Sequence, residues 1–159
     1  MNIPADVIKE GVASFSGVKR RFEYHINTPD CTYIDDYAHH PEELRAAISS
    51  VKELYHDKKI TGVFQPHLFT RTRDFADGFA ESLSLLDSLL MLDIYPAREL
   101  PIPGVTSSMI LQNVTSAQKE LCTKEELLKI IADRKPEVLL TLGAGDIDQL
   151  VQPIKKLLS

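Results

Sequence analysis

The sequence has no tryptophan and only two cysteines, Cys31 and Cys122, in 159 residues. Neither lies in a CxxC pair or at a spacing suited to zinc, so two unpaired thiols are expected, not a disulfide scaffold or a zinc module. No apolar run approaches the roughly 18 residues that a membrane span requires. The opening stretch MNIPADVIKEGVASF interrupts its apolar pattern with acids, unlike a secretory leader, and a cytoplasmic protein without a membrane partner is the expectation. Cationic excess is missing too: 18 Lys and Arg against 23 Asp and Glu leave a formal net charge of −5. A surface of that balance lacks the basic field that gathers nucleic acid. No GxxxxGK[ST] phosphate loop and no internal repeat occurs.

What remains is an ordinary globular composition, 43% hydrophobic and 26% charged, in a length that suits one domain with one principal core. Residues 3–13 place Ile3, Val7, Ile8 and Val12 at helical spacing. RRFEYHI then alternates Phe22, Tyr24 and Ile26 against Arg21, Glu23 and His25, the period of a half-buried strand, and Pro29-Asp30 turns it toward a hairpin partner in CTYID. From Pro41 the period becomes helical through Leu44, Ala47, Ile48, Val51 and Leu54. Strand-like ITGVFQP, a helix from Asp74 to Leu86, strand-like SLLMLDIY, helices over 107–113 and 124–134, strand-like EVLLTLG and a final helix to Leu158 complete the order. The pattern predicts an α/β three-layer, Rossmann-like sandwich: a mostly parallel sheet with an antiparallel N-terminal hairpin and helices on both faces.

In such sheets ligands gather beyond the carboxyl ends of the strands. Four polar segments follow strand ends, namely 35–40, 65–73, 95–99 and 143–146, and should meet along one edge. Within DDYAHHP, His40 stands where a helix cap belongs, and capping is the ordinary reading of any one polar residue there. Asp36 offers an acceptor pair for ribose hydroxyls, Tyr37 a ring face for a base or sugar, and His39 a group that exchanges protons near neutral pH. FQPHLFTRTRD adds His67, Arg71 and Arg73. Two cations in the first turn of the following helix would oppose its dipole, which points to an anion there, and Arg71 is the candidate clamp for a carboxylate. Gly143 and Gly145 in TLGAGDI would let backbone approach a ligand at a helix start, although GxGD is often only a strand-to-helix turn capped by its aspartate. Adjacent histidines point apart, and Pro41 restricts His40 to extended backbone, so His39, His40 and His67 make a poor metal set and no metal site is expected. His25 and His56 read as surface residues.

GVKRRF, DDYAHHPEE, FQPHLFTRTRDF, DIYPARELPIPGV and LGAGDI, in this order from about Gly17 to the end, resemble the C-terminal domain of the Mur ligases. Residues 1–16 then look like the tail of a preceding central ATPase domain and 17–159 like the C-terminal domain. The resemblance implies a three-domain enzyme whose phosphate loop and magnesium ligands lie in the central domain, so that this piece alone is inactive. It also implies ATP-dependent amide synthesis through an acyl phosphate, with this domain closing over ATP and delivering the amino acid. The pattern is most similar to members that join L-alanine to UDP-N-acetylmuramate. Carried over by motif, Asp36 and Tyr37 would meet ATP; His39 and Arg71 would engage the alanine carboxylate; His67, Gly143 and Gly145 would line the amino-acid site. Where family members carry arginine this chain has Leu68, which leaves Arg71, alone or with Arg73, to hold the carboxylate. Two alternatives stay open: a relative that attaches a recycled tripeptide to the same sugar nucleotide, and a standalone small-ligand or metal-binding α/β module.

Overall fold

The computed structural model describes residues 3–15 and 17–159. Residue 16, where the sequence reading ends its tail segment, lies outside them. Helix α1 (Ala5–Ser14) starts after Pro4, with Asp6 in its first turn, where an acid complements the dipole. None of its residues is buried, and Val12 is 71% exposed.

The remaining elements are β1 (Glu23–Asn27), β2 (Thr32–Asp36), α2 (Pro41–Leu54), β3 (Ile60–Phe64), α3 (Phe69–Asp74), α4 (Ala76–Leu83), β4 (Ser88–Met91), α5 (Ser107–Asn113), β5 (Gln118–Leu121), α6 (Lys124–Arg134), β6 (Val138–Leu142), a 3-10 turn (Asp146–Leu150) and α7 (Val151–Leu158). The described strands form one six-stranded sheet ordered β1-β2-β6-β3-β4-β5, antiparallel only between β1 and β2.

Alternation along the central strands divides the core in two. Ile34, Phe64, Leu89, Met91 and Leu140 join Leu44, Ile48, Phe79, Leu83 and Ile110 of α2, α4 and α5. Tyr33, Val63, Leu90 and Leu139 turn the other way, onto Leu127, Ile131, Val151 and Ile154 of α6 and α7. Helices therefore cover both faces, which is why these strands read as continuous apolar runs.

Three local expectations need correction. The alternation expected in RRFEYHI fails because β1 carries a bulge: Tyr24 faces Ile34 and Ile26 faces Tyr33, with His25 the extra residue. Tyr24 is consequently exposed, and His25 is not a surface residue: its ring packs on Tyr33 at 5.3 Å, and its buried Nε2, 4.0 Å from a Glu23 oxygen, has no hydrogen-bond partner among the described residues. The helix placed at Asp74–Leu86 begins earlier and is broken, α3 ending where Phe75 leaves helical geometry and α4 ending at Leu83. The edge strand β5 was not anticipated; its four residues, QKEL, are largely exposed and lack an apolar signal.

The parallel register brings Asp36 and Phe64 both opposite Leu142, and Phe64 opposite Met91. The carboxyl ends of β2, β6, β3 and β4 thus lie in one row. From that row the chain leaves β2 and β3 toward the face of α2 and α4, and leaves β6 toward the face of α7. Divergence of this kind opens a crevice around the end of β6.

Candidate functional site

At the end of β2 the backbone is extended through His40 (φ −123°, ψ 148°), which occupies the N-cap of α2 ahead of Pro41. Glu43 reaches back to accept from the amides of His39 (2.9 Å) and His40 (3.2 Å). Burial works against ionisation of Glu43, but these amides and the two imidazoles outweigh it and hold the carboxyl below its ordinary range. The cap turns the histidines apart. His40 packs on Phe75 at 4.8 Å, whereas His39 lies against Tyr37 at 5.1 Å and His67 at 6.3 Å, ring centre to ring centre.

Asp36 is committed to this turn before any ligand arrives. One carboxylate oxygen accepts from Phe22 N at 2.7 Å and the other from Ala38 N at 2.8 Å. Each oxygen keeps one lone-pair direction for a further donor. Tyr37, 38% exposed, lies under the Arg20 guanidinium at 5.1 Å.

The β3 end is built differently. Past Phe64, the segments after β3 and β4 stay paired through Tyr95 N to Pro66 O (2.8 Å) and Leu68 N to Tyr95 O (2.9 Å). Leu68 lies at φ 72°, a conformation costly for a residue with a Cβ, and it turns the chain sharply into α3. This short helix has no cap of its own. Glu99, from the loop after β4, supplies one by accepting from Thr70 N at 3.0 Å and from the Thr70 hydroxyl. His67 stacks on Tyr95 (5.7 Å, 17° between planes), and Arg71 Nη1 donates to His67 Nδ1 at 3.4 Å. Burial, then the neighbouring Arg71 and His39, push the His67 pKa below its ordinary value, against the opposing pull of Glu99.

Arg71 and Arg73 sit in the last turn of α3, not in the first turn of the next helix as expected. The dipole favours cations there, so their position alone no longer argues for an anion. Their surroundings separate them. Arg73 pairs with Asp74 at 2.7 Å on the surface; Arg71 is half-buried beside His67 and, among the described residues, has no carboxylate within ion-pair distance.

At the end of β6, Gly143 N donates to Asp36 O at 3.3 Å and Gly143 O accepts from Arg20 Nη2 at 2.6 Å. Gly143 has φ 138°, and a Cβ there would lie 2.7 Å from Gln65 O. At Gly145 a Cβ would lie 2.5 Å from Gln65 Oε1 and 2.7 Å from Tyr95 Cβ. The close approaches that require glycine are therefore to neighbouring strand ends. Asp146 does not simply cap: it accepts from Gln65 Nε2 at 2.9 Å and pairs with Lys124 at 2.6 Å. Gln65, Tyr95, Asp93, Lys124 and Asp146 also line an adjoining cleft of about 260 Å³.

The structure brings Asp36, Tyr37, His39, His67, Arg71, Gly143 and Gly145 to the same sheet edge through these contacts. Sequence reasoning missed Arg20 as part of the site. It appears only as one member of a basic run, and its partners Asp35, Tyr37 and Gly143 are distant along the chain. Among the described residues no group of three His, Cys, Asp or Glu side chains gathers as a metal site would require.

A family profile described as "Mur ligase, glutamate ligase domain" matches residues 20–145. A UDP-N-acetylmuramate–L-alanine ligase of Parabacteroides distasonis is 61% identical over 151 residues, covering 95% of this chain and 33% of that protein. The Flavobacterium johnsoniae protein of the same name is 51% identical over 98% of this chain and 35% of its own length. Among solved structures, UDP-N-acetylmuramate-alanine ligase from Thermotoga maritima superposes with TM-score 0.73 at 29% identity, over 92% of this chain and 31% of that one. A murein peptide ligase from Psychrobacter arcticus, at 20% identity and TM-score 0.71, shares the fold. The chain thus spans about a third of the length of the curated relatives it matches. With the profile covering most of the sequence and close relatives matching nearly all of it, the chain belongs to the Mur ligase C-terminal domain family.

Proposed function

We propose that this chain is the amino-acid-delivering and ATP-closing domain of an ATP-dependent ligase that joins L-alanine to UDP-N-acetylmuramate in peptidoglycan synthesis, in the cytoplasm where those substrates are made. The observation that carries the reading is Arg71, without a carboxylate partner among the described residues, beside His67 and His39 at the sheet edge. An arginine without a carboxylate partner, flanked by imidazoles, suits the carboxylate of a small amino acid.

In the proposed reaction ATP phosphorylates the lactyl carboxylate, and the alanine amine attacks the acyl phosphate with loss of phosphate. This chain's contribution is positioning and exclusion of water. Arg71 and His67 hold the amino-acid carboxylate, with His39 adjacent and Gly143 and Gly145 shaping the wall. The free lone pairs of Asp36 fit ribose hydroxyls, and Tyr37 fits the nucleoside beside them. Magnesium, which would neutralise phosphate charge, finds no cluster of carboxylates among the described residues and is assigned to the part of the enzyme outside this chain. Residues 1–16 are assigned to the junction with the preceding ATPase domain, in keeping with α1, none of whose residues is buried.

The test is to join this segment to the nucleotide-binding portion of the Parabacteroides distasonis relative and measure phosphate release against a panel of amino acids and peptides. Release that requires UDP-N-acetylmuramate and prefers L-alanine is expected. Preference for a tripeptide would transfer the reading to a recycling ligase. Stoichiometric zinc in the purified domain, with no phosphate release, would replace it with a metal-binding module.

A further inference from the structure

Two histidines meet in the site, and their hydrogen bonds fix opposite roles for them. His39 Nδ1 lies 2.9 Å from the Tyr37 carbonyl and 3.4 Å from a Glu43 oxygen. Both neighbours are acceptors, so Nδ1 carries the hydrogen, and in the neutral ring Nε2 holds the lone pair. His67 is the reverse. Its Nδ1 receives a hydrogen from Arg71, which can only donate, so its Nε2 carries the N–H. Two rings 6.3 Å apart therefore present one acceptor and one donor. An amino-acid zwitterion has the complementary ends, an ammonium and a carboxylate.

We propose that His39, through Nε2, removes a proton from the ammonium of the incoming amino acid, while His67 remains a neutral donor to its carboxylate alongside Arg71. The inference rests on the ligase reading above. His39 Nε2 takes one ammonium proton, and the electron pair freed on nitrogen forms the C–N bond at the acyl carbon. The bond from that carbon to the phosphate oxygen breaks with its electron pair leaving on phosphate, which accepts the second amine proton. The His39 imidazolium then returns its proton to water. Charged and titratable neighbours set the direction of transfer. Glu43 from α2, its carboxyl held below the ordinary range by the cap, lies 3.4 Å from His39 Nδ1, on the side of the ring away from Nε2. His40 from the same helix turns to Phe75, Tyr37 flanks the ring, and His67 with Arg71 faces it from the β3–α3 turn. Suppressed protonation of His67 keeps a second cation away from the proton being moved.

The experiment uses His39→Gln in the full-length ligase with two nucleophiles, L-alanine and hydroxylamine, whose nitrogen is already neutral at pH 7. With L-alanine, kcat should fall about 100-fold at pH 7, the lower end of what a positioned proton acceptor contributes, and recover as pH approaches the amine's own pKa. Hydroxamate formation should keep the wild-type rate. His67→Gln should instead raise KM for L-alanine with no such recovery at high pH. Equal losses with both nucleophiles, a loss independent of pH, or the same recovery in His67→Gln would overturn the assignment. Wild-type enzyme that releases no phosphate from ATP with UDP-N-acetylmuramate and L-alanine would remove the ligase reading itself, and the assignment with it.

Discussion

The Arg20 guanidinium donates to the Gly143 carbonyl at 2.6 Å, joining the segment before β1 to the loop after β6. The same side chain pairs through Nε with Asp35 at 3.0 Å. Asp35 is fully buried on β2, with its second oxygen taken by the Thr141 hydroxyl at 2.6 Å. Arg20 is itself at φ 58°, and its carbonyl accepts from Tyr37 N at 2.7 Å. One residue thus connects the ends of β1, β2 and β6 and covers the Tyr37 ring.

Replacing Arg20 leaves a buried carboxylate without its cation. Arg20→Met should destabilise the domain by about 3 kcal/mol, in the range for breaking one side of a buried pair. The double change Arg20→Met with Asp35→Leu should recover much of the loss. Chemical denaturation of the four proteins measures the coupling; additive losses would show that the pair contributes nothing as a pair.

Gly145→Ala tests whether the glycine serves packing or ligand approach. Its backbone (φ −82°) accepts alanine without strain, but the new Cβ meets Gln65 and Tyr95 below 3 Å. Gln65 cannot yield easily, since its Oε1 accepts from Ile147 N at 2.9 Å while its Nε2 holds Asp146. A loss of about 1–3 kcal/mol is expected from overpacking, together with displacement of Tyr95 from His67. Unchanged stability with weakened L-alanine binding would instead place the glycine against the ligand.

Much of this was legible beforehand because the signals were local. The HHP turn, the helix from Pro41 and the runs LLML and VLLTL each carry their own periodicity or cap, and rows of strand ends follow from parallel order. What escaped was non-local. The bulge at His25 follows Arg20 and Phe22, both at positive φ and held by Asp35 and Asp36 some 14 to 15 residues on, and the early start of α3 goes with a cap supplied by Glu99, 29 residues downstream. Neither leaves a mark within a short window of sequence. Arg71 was picked out by an argument from the wrong end of a helix, and its neighbours, not its place along the helix, single it out.

The pH response of His67 follows from its surroundings. Its folded-state pKa is lowered, so the unfolded chain binds the proton more readily. Stability should therefore be complete above the ordinary imidazole value near 6.5 and decline as pH falls below it. His67→Gln should flatten that portion of the Tm against pH curve. Glu99 pulls the other way on His67, so Glu99→Gln should shift the His67 titration, followed by NMR, to still lower pH. An unmoved titration would mean that Glu99 acts only by capping α3.

Arg71 bears most directly on the proposed chemistry. A guanidinium grips a carboxylate with two parallel hydrogen bonds, whereas an ammonium offers a point charge. Arg71→Lys in the full-length enzyme should therefore raise KM for L-alanine about tenfold or more, the scale of one charge-assisted hydrogen bond, and leave KM for ATP near its wild-type value. Arg73→Lys, whose parent side chain is engaged with Asp74 on the surface, should change neither. Initial rates with each substrate varied in turn resolve the two constants. If Arg71→Lys moves both KM values together, the residue belongs to domain closure and not to a carboxylate clamp. If Arg73→Lys alone affects L-alanine, the clamp has been placed on the wrong arginine, and Leu68 in this chain is compensated from the outer side of α3.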